Sequence, residues 1–110
     1  MQLREAIESL GLCPDAVADD TLEVQAVYCG DLLSDVLAHA PPHALWFTIQ
    51  SHVNIVAVAQ LRDVAAVVLV NGVAPQPQTI VKARDQEVNL CSSTETSAAL
   101  CMRLAGRLAP

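Results

Sequence analysis

Basic residues are scarce in this chain. Six Lys and Arg stand against twelve Asp and Glu, for a formal net charge of −6 at pH 7. Nucleic-acid binding needs clustered cations to neutralise phosphates. Here only Lys82 with Arg84, and Arg103 with Arg107 one turn apart, lie close together, and neither pair makes a stripe. No nucleic-acid partner is expected. Long apolar runs are also missing: the longest, residues 64–70, falls far short of the ~20 residues that span a bilayer. No membrane partner is expected either. The charged, amphipathic start argues against a secretory leader, so the expected location is cytoplasmic.

Glycine is equally sparse, with four in the whole chain. No G-x-x-x-x-G-K-[ST] loop is present to cradle a triphosphate, and no G-x-G-x-x-G or G-x-S-x-G follows a strand. The chain carries no recognisable catalytic machinery, and no enzymatic activity is expected. The four cysteines, Cys13, Cys29, Cys91 and Cys101, form no C-x-x-C pair. None lies at zinc-finger spacing from His39, His43 or His52, so no metal and no cofactor are expected. The thiols read as free, small core residues. Cys29 and His52 could meet as nucleophile and base, but Cys29 reads more simply as a strand-end core residue.

Aromatics are limited to one Phe, one Tyr and one Trp, while apolar residues make up 53% of the chain. Such a core is aliphatic, as expected for helices packed on a buried parallel sheet. At 110 residues the chain has the length of one domain, taken as 1–110, and can bury roughly two thirds of its unfolded surface.

Leu3, Ile7 and Leu10 recur at helical spacing and predict a helix over 2–11, stopped by Gly11. Residues 13–20 read as a loop, 21–29 as a strand, and 31–40 as a helix. Asp31 would cap that helix, and Leu33, Val36, Leu37 and Ala40 would form its buried stripe. Pro41 and Pro42 end it. Residues 44–50 form a second strand, 53–63 a very apolar helix, and 64–70 a third strand, which should be central. After a loop at 71–77 come a helix over 79–86, a short strand over 88–91, and a helix to about residue 108. That last helix would be capped by Ser93 or Thr94, with Leu100, Leu104 and Leu108 on one face. The expected fold is α/β: a mostly parallel four-stranded sheet with flanking helices, in α(βα)4 order with right-handed crossovers.

In such sheets ligands bind at the carboxyl ends of the strands, where helix N-termini also point. Polar residues gather there: Asp31 and Ser34 after the first strand, then Gln50, Ser51, His52 and Asn54 after the second. Asn71 and Gly72 follow the third strand, and Ser92, Ser93 and Thr94 the fourth. Each also has a plainer role as a helix cap or turn residue; Ser92 with Glu95 has the spacing of a capping box. Together they make that edge the candidate ligand site, and His52 could donate to an anion. Helix 53–61 is apolar nearly all round. Its outer side, with Val53, Val56, Ala57 and Gln60, either faces a second copy across a two-fold interface or lies under a terminal element.

The segments DLLSDVLAHA (31–40), WFTIQSHVNIVAVA (46–59), AAVVLVNGVAP (65–75) and SSTETSAALCMRL (92–104) resemble the DRTGG-like domain family. Val70-Asn71-Gly72 stands where that family has Thr-Gly-Gly, and Gln50-Ser51-His52 where it has Asp-Arg. The resemblance implies a compact α/β domain similar to the N-terminal domain of HPr kinase/phosphorylase. It also implies an accessory, often self-associating module, fused to CBS domains in regulated pyrophosphatases, with catalysis lying in other domains. The expected function is therefore a non-catalytic, homodimeric regulatory module that binds a small anionic or nucleotide-like ligand at the carboxyl edge. The alternative is an interaction subunit that docks on a partner enzyme through the apolar helix 53–61, without a ligand.

Overall fold

Residues 1–108 are described by a computed structural model; the last two residues of the 1–110 span lie outside the described residues. The chain runs α1 (Leu3–Leu10), β1 (Cys13–Ala16), β2 (Ala26–Cys29), α2 (Leu33–His39), β3 (Ala44–Thr48), α3 (Asn54–Arg62), β4 (Ala66–Leu69), α4 (Pro77–Asp85), β5 (Leu90–Ser92) and α5 (Ser97–Leu104). The strands form one sheet in the order β1-β5-β4-β3-β2. Strands β2 to β5 are mutually parallel, and β4 holds the central place expected of the most aliphatic segment.

The α/β class is as expected, but the sheet has five strands rather than four. The extra one is β1, within a segment that reads as a loop. Pro and Asp are poor strand formers, and CPDA becomes a strand only by pairing antiparallel with β5, Cys13 opposite Ser92 and Ala16 opposite Leu90. The register shifts between Pro14 and Ala16. Proline is tolerated there because an edge strand or bulge does not need every N–H in the ladder. The strand over 21–29 is shorter than expected: Glu23 makes only an isolated bridge to Gln2, and the ladder begins at Ala26.

Each step from β2 to β5 moves one place in the same direction. Right-handed crossovers then require α2, α3 and α4 to lie on one face, and α1 and α5 cover the other. Side chains alternate accordingly. Leu45, Phe47, Ala66, Val68 and Cys91 pack with Leu3, Leu10, Leu100 and Leu104. Trp46, Val67, Leu69 and Leu90 pack with Val36, Ile55, Val56, Val58 and Ala83. With both faces covered, β3 and β4 are buried at every position, which is why β4 is wholly aliphatic and β3 apolar up to its closing Thr48.

Several helix ends differ from the sequence reading. Gly11 does stop α1, at φ 65°, a left-handed conformation that glycine adopts without a Cβ penalty. At α2, however, the cap position is Leu32, which makes no side-chain bond, and the buried stripe is Val36 and Ala40 with Leu37 turned outward. The α3 cap position is Val53 rather than Ser51. Helix α5 is capped by Thr96, not Ser93 or Thr94: its hydroxyl accepts from the Ala99 amide at 3.1 Å. That helix closes at Leu104, and Leu108 packs on the core from beyond its end.

One buried polar side chain ties the layers together. The Asn89 carboxamide oxygen accepts from the amides of Ala18 (2.8 Å) and Asp19 (3.1 Å), and its nitrogen donates to the carbonyls of Asp19 (2.9 Å) and Ala65 (3.0 Å). The connection from β1 to β2 is thereby held against the start of β4.

Candidate functional site

Strands β2 to β5 all end on the same edge, and α2 to α5 all start there, so the expected polar residues do share one side of the molecule. They separate into two groups along it.

At the ends of β2 and β3 the polar groups satisfy one another. Asp31 Oδ1 accepts from the Thr48 hydroxyl and the Ile49 amide, each at 2.9 Å. Gln50 Nε2 donates to the Asp31 carbonyl at 2.9 Å, and the Gln50 amide donates to the Thr48 hydroxyl at 3.2 Å. Asp31 therefore staples the loop after β2 to the loop after β3 instead of capping α2. Beneath them the Trp46 indole donates to the Gly30 carbonyl at 2.9 Å. A Cβ on Gly30 would stand 3.1 Å from the Tyr28 ring, so this turn favours glycine. The Tyr28 hydroxyl donates to the Asp35 carboxylate, and that bond holds the phenol above its ordinary pKa. Ser34 is exposed on the first turn of α2.

The start of α3 lies next along the edge. The Ser51 carbonyl accepts from the buried Thr79 hydroxyl at 2.7 Å, tying this loop to α4. His52 Nδ1 accepts from the Asn54 amide at 3.2 Å, which leaves Nε2 to carry the ring proton in the neutral form. Asn54 is exposed.

The second group forms a cleft of about 280 Å³ at the ends of β4 and β5. Gly72 with residues 73–75 makes one wall; Ser92, Ser93 and Thr94 make the base; Gly11, Cys13 and Asp15 close the far side. The first two loops are zipped together. The Asn71 amide donates to the Glu95 carbonyl (2.9 Å), the Gly72 amide to the Ser93 carbonyl (3.0 Å), and the Ser93 amide to the Leu69 carbonyl (2.8 Å). Asn71 (φ 60°) and Gly72 (φ 73°) are both left-handed, the turn expected of an Asn-Gly pair. Asn71 supports the wall without lining the cleft. Arg103 holds the third side in place: its guanidinium pairs with Glu95 and donates to the Ser9 and Leu10 carbonyls at the end of α1.

Among the described residues, Asp15 is the one charged residue lining the cleft, and no Lys, Arg or His stands in its walls. Donors for a ligand are hydroxyls and peptide N–H groups. Among the described residues, the amides of Ala74 and Thr94 have no acceptor within the chain, whereas the Ser93 hydroxyl accepts from Glu95 N. Such a lining fits an uncharged hydrogen-bonding group, a sugar or base, better than a bare phosphate.

A second hollow of about 260 Å³ lies at the opposite edge, lined by Gln60, Asp63, Gln86, Glu87 and Asn89 among others. Helix C-termini and carboxylates face it, which repels anions, and Asn89 is already fully bonded. No group of three or more His, Cys, Asp or Glu placed to hold a metal occurs among the described residues. Cys29 is exposed, against the expectation of a core residue, and its neighbour is the Cys101 thiol at 3.6 Å. Cys13 is exposed as well, and only Cys91 is a buried core thiol.

The outer side of α3 needs one correction. Val56 is 1% exposed and belongs to the core; the side turned to solvent is Ala57, Gln60 and Leu61, with Val53 at its margin. Residues 53–61 look apolar all round because Ile55, Val56, Val58 and Ala59 fill a wide contact with the sheet and neighbouring helices.

Sequence reasoning missed Gly11, Cys13, Asp15 and Arg103 at the cleft. Gly11, Cys13 and Asp15 lie about 80 residues from β5 in the sequence and reach this edge only because β1 runs antiparallel to it. No local pattern signals that.

No family model and no curated protein matches this chain. A solved structure does: the CBS and DRTGG domains of the regulatory region of Clostridium perfringens pyrophosphatase, complexed with its activator diadenosine tetraphosphate. The TM-score is 0.77 at 11% sequence identity, over 97% of this chain and 47% of that one. The chain thus spans about half the length of the chain it matches, and what they share is the fold, a DRTGG/CBS-like α/β fold. No helix among the described residues is long and apolar enough to cross a membrane.

Proposed function

We propose that residues 1–110 form one DRTGG-like, non-catalytic regulatory domain of the cytoplasm that binds a small nucleotide-like ligand at the carboxyl edge of the sheet. The observation that carries this reading is the position of the cleft at the ends of β4 and β5, where parallel sheets place their ligands. The pyrophosphatase regulatory region of like fold was solved with a nucleotide activator, which supports a nucleotide rather than another polar metabolite. At about 280 Å³ the cleft lies at the small end of ligand pockets, ~300–1,000 Å³. It suits one nucleoside-sized group, with the anionic part held by the Ala74 and Thr94 amides or left in solvent.

Thermal unfolding with adenosine, AMP, ATP and diadenosine tetraphosphate tests this. A ligand at a hundredfold excess over its Kd stabilises by ~2.7 kcal/mol, about 10 °C in a domain of this size. Ser93→Trp fills the cleft and should abolish the shift while the protein still melts cooperatively. If none of the four raises Tm, the ligand reading is lost.

A second reading rests on Leu61, which is 73% exposed beside Ala57 and Gln60 on α3. This face serves self-association through a two-fold interface, or docking on a partner enzyme. Light scattering should give a dimer for the native chain and a monomer for Leu61→Lys. A native monomer would leave only the docking role for this face.

A further inference from the structure

Cys29 closes β2 and Cys101 lies on the second turn of α5, 72 residues later, yet their sulfurs stand 3.6 Å apart. Cys29 is exposed and Cys101 half-buried; Cys91 is enclosed in the sheet, and Cys13 sits at the cleft beside Asp15. We propose that Cys29 and Cys101 form a dithiol modification site, closed to an intramolecular disulfide by a peroxide-class two-electron oxidant. This is independent of whether the cleft binds a nucleotide.

The sulfurs are already in contact. A disulfide is about 2.05 Å long, so they need approach only ~1.5 Å further, a movement within the reach of side-chain rotation. Two thiols held in contact react at an effective concentration far above any soluble thiol. The order of events follows from exposure. The Cys29 thiolate attacks a peroxide oxygen, the O–O bond breaks, and Cys29 becomes a sulfenic acid as hydroxide leaves. The Cys101 sulfur then attacks the Cys29 sulfur, the S–O bond breaks, and the thiol proton departs with the oxygen as water. In sum, two thiols and one hydrogen peroxide give one disulfide and two waters; the sulfurs lose two electrons and the peroxide gains them. A dithiol reductant reverses the step by exchange. Burial and the contact with Cys29 push the Cys101 thiol up to about 11, so the exposed Cys29 meets the oxidant first, and Cys101 gives up its proton to the departing oxygen as its sulfur attacks.

The disulfide would pin α5 to the end of β2, on the far side of the sheet from β1. Closing so long a loop removes entropy from the unfolded chain, with an expected rise in Tm of about 10 °C.

The reduced 110-residue chain is treated with stoichiometric hydrogen peroxide, then followed by intact mass, non-reducing peptide mapping and thermal melting. The expected result is a single covalent chain ~2 Da lighter, as disulfide formation removes two hydrogens. It carries one cross-link joining the Cys29 and Cys101 peptides, with a raised Tm restored by dithiothreitol. Cys29→Ser, at an exposed position, should fold normally and show neither cross-link nor Tm rise. Cys101→Ser should leave a Cys29 sulfenic acid that dimedone captures. The proposal is overturned by a cross-link to Cys13, by intermolecular dimers alone, by oxygen added to Cys29 in the native chain without a disulfide, or by both thiols surviving peroxide that consumes Cys13.

Discussion

Thr48 donates its hydroxyl to the Asp31 carboxylate at 2.9 Å, joining the ends of two adjacent parallel strands 17 residues apart in sequence. The same hydroxyl accepts from the Gln50 amide, so one buried oxygen organises both loops. Thr48→Val keeps the shape and removes that oxygen. We expect a loss of about 1–2 kcal/mol in urea unfolding, with Thr48→Ser recovering most of it. A valine variant as stable as wild type would mean that the hydroxyl contributes nothing here.

Asn89 offers a stronger test of buried polar order, because its carboxamide serves four backbone groups at once. Asn89→Ala strands two amides and two carbonyls. The expected destabilisation is ~2–4 kcal/mol, with faster amide exchange at Ala18 and Asp19. Asn89→Asp keeps the acceptor but loses both donated bonds, so it should fall between wild type and alanine. An alanine variant within ~0.5 kcal/mol of wild type, the range of an ordinary surface change, would show that water replaces the side chain.

Tyr28 is the single tyrosine of the chain, so its ionisation can be followed directly by ultraviolet absorbance. Its bond to Asp35, then burial and the Asp35 charge, raise its pKa above the ordinary 10.0. A group raised in the folded state adds stability that is complete below its unfolded pKa and lost as pH climbs through the folded one. The titration midpoint should therefore lie above 10 and drop toward it in Asp35→Asn. A midpoint at or below 10 in the native chain would refute the hydrogen bond.

Cys91 makes the same argument in the core. Burial, with smaller contributions from the Asp15 and Cys13 charges, pushes its thiol from 9.0 up to about 12. Between those values the unfolded chain releases a proton that the folded chain retains, so stability falls with rising pH. Unfolding measured from pH 8 to 10.5 should steepen above pH 9, and Cys91→Ala should flatten that slope while lowering stability at pH 7. Native Cys91 should also resist thiol reagents that label Cys13. Equal labelling of the two would contradict its burial.

The runs 44–48 and 66–69 announced strands because a sheet covered on both faces needs apolar side chains in both directions, a demand visible at every position. The spacing of Leu3, Ile7 and Leu10 announced α1 in the same way. Asp31 was misread: Asp before an apolar run is a good cap in general, but the Thr48 hydroxyl and Ile49 amide compete for its carboxylate, and they sit on another strand. Thr96, one of five hydroxyl residues between 92 and 97, won the α5 cap because the zipped loops hold Ser93 and Glu95 in other bonds. Val56 was placed on the wrong side because an all-apolar helix carries no periodicity to orient it.

By itself, then, the sequence determined the α/β class, the parallel core strands, and the edge on which the polar loops gather, because burial and turn chemistry are written in residues close along the chain. Tertiary structure alone decided that β1 joins the sheet, that Asp15 and Cys13 meet Ser92 to Thr94 in a cleft, and that Cys29 touches Cys101. Each of those depends on pairing between segments some 70 to 80 residues apart, and such pairings are set by the packing of the whole sheet, not by any local preference.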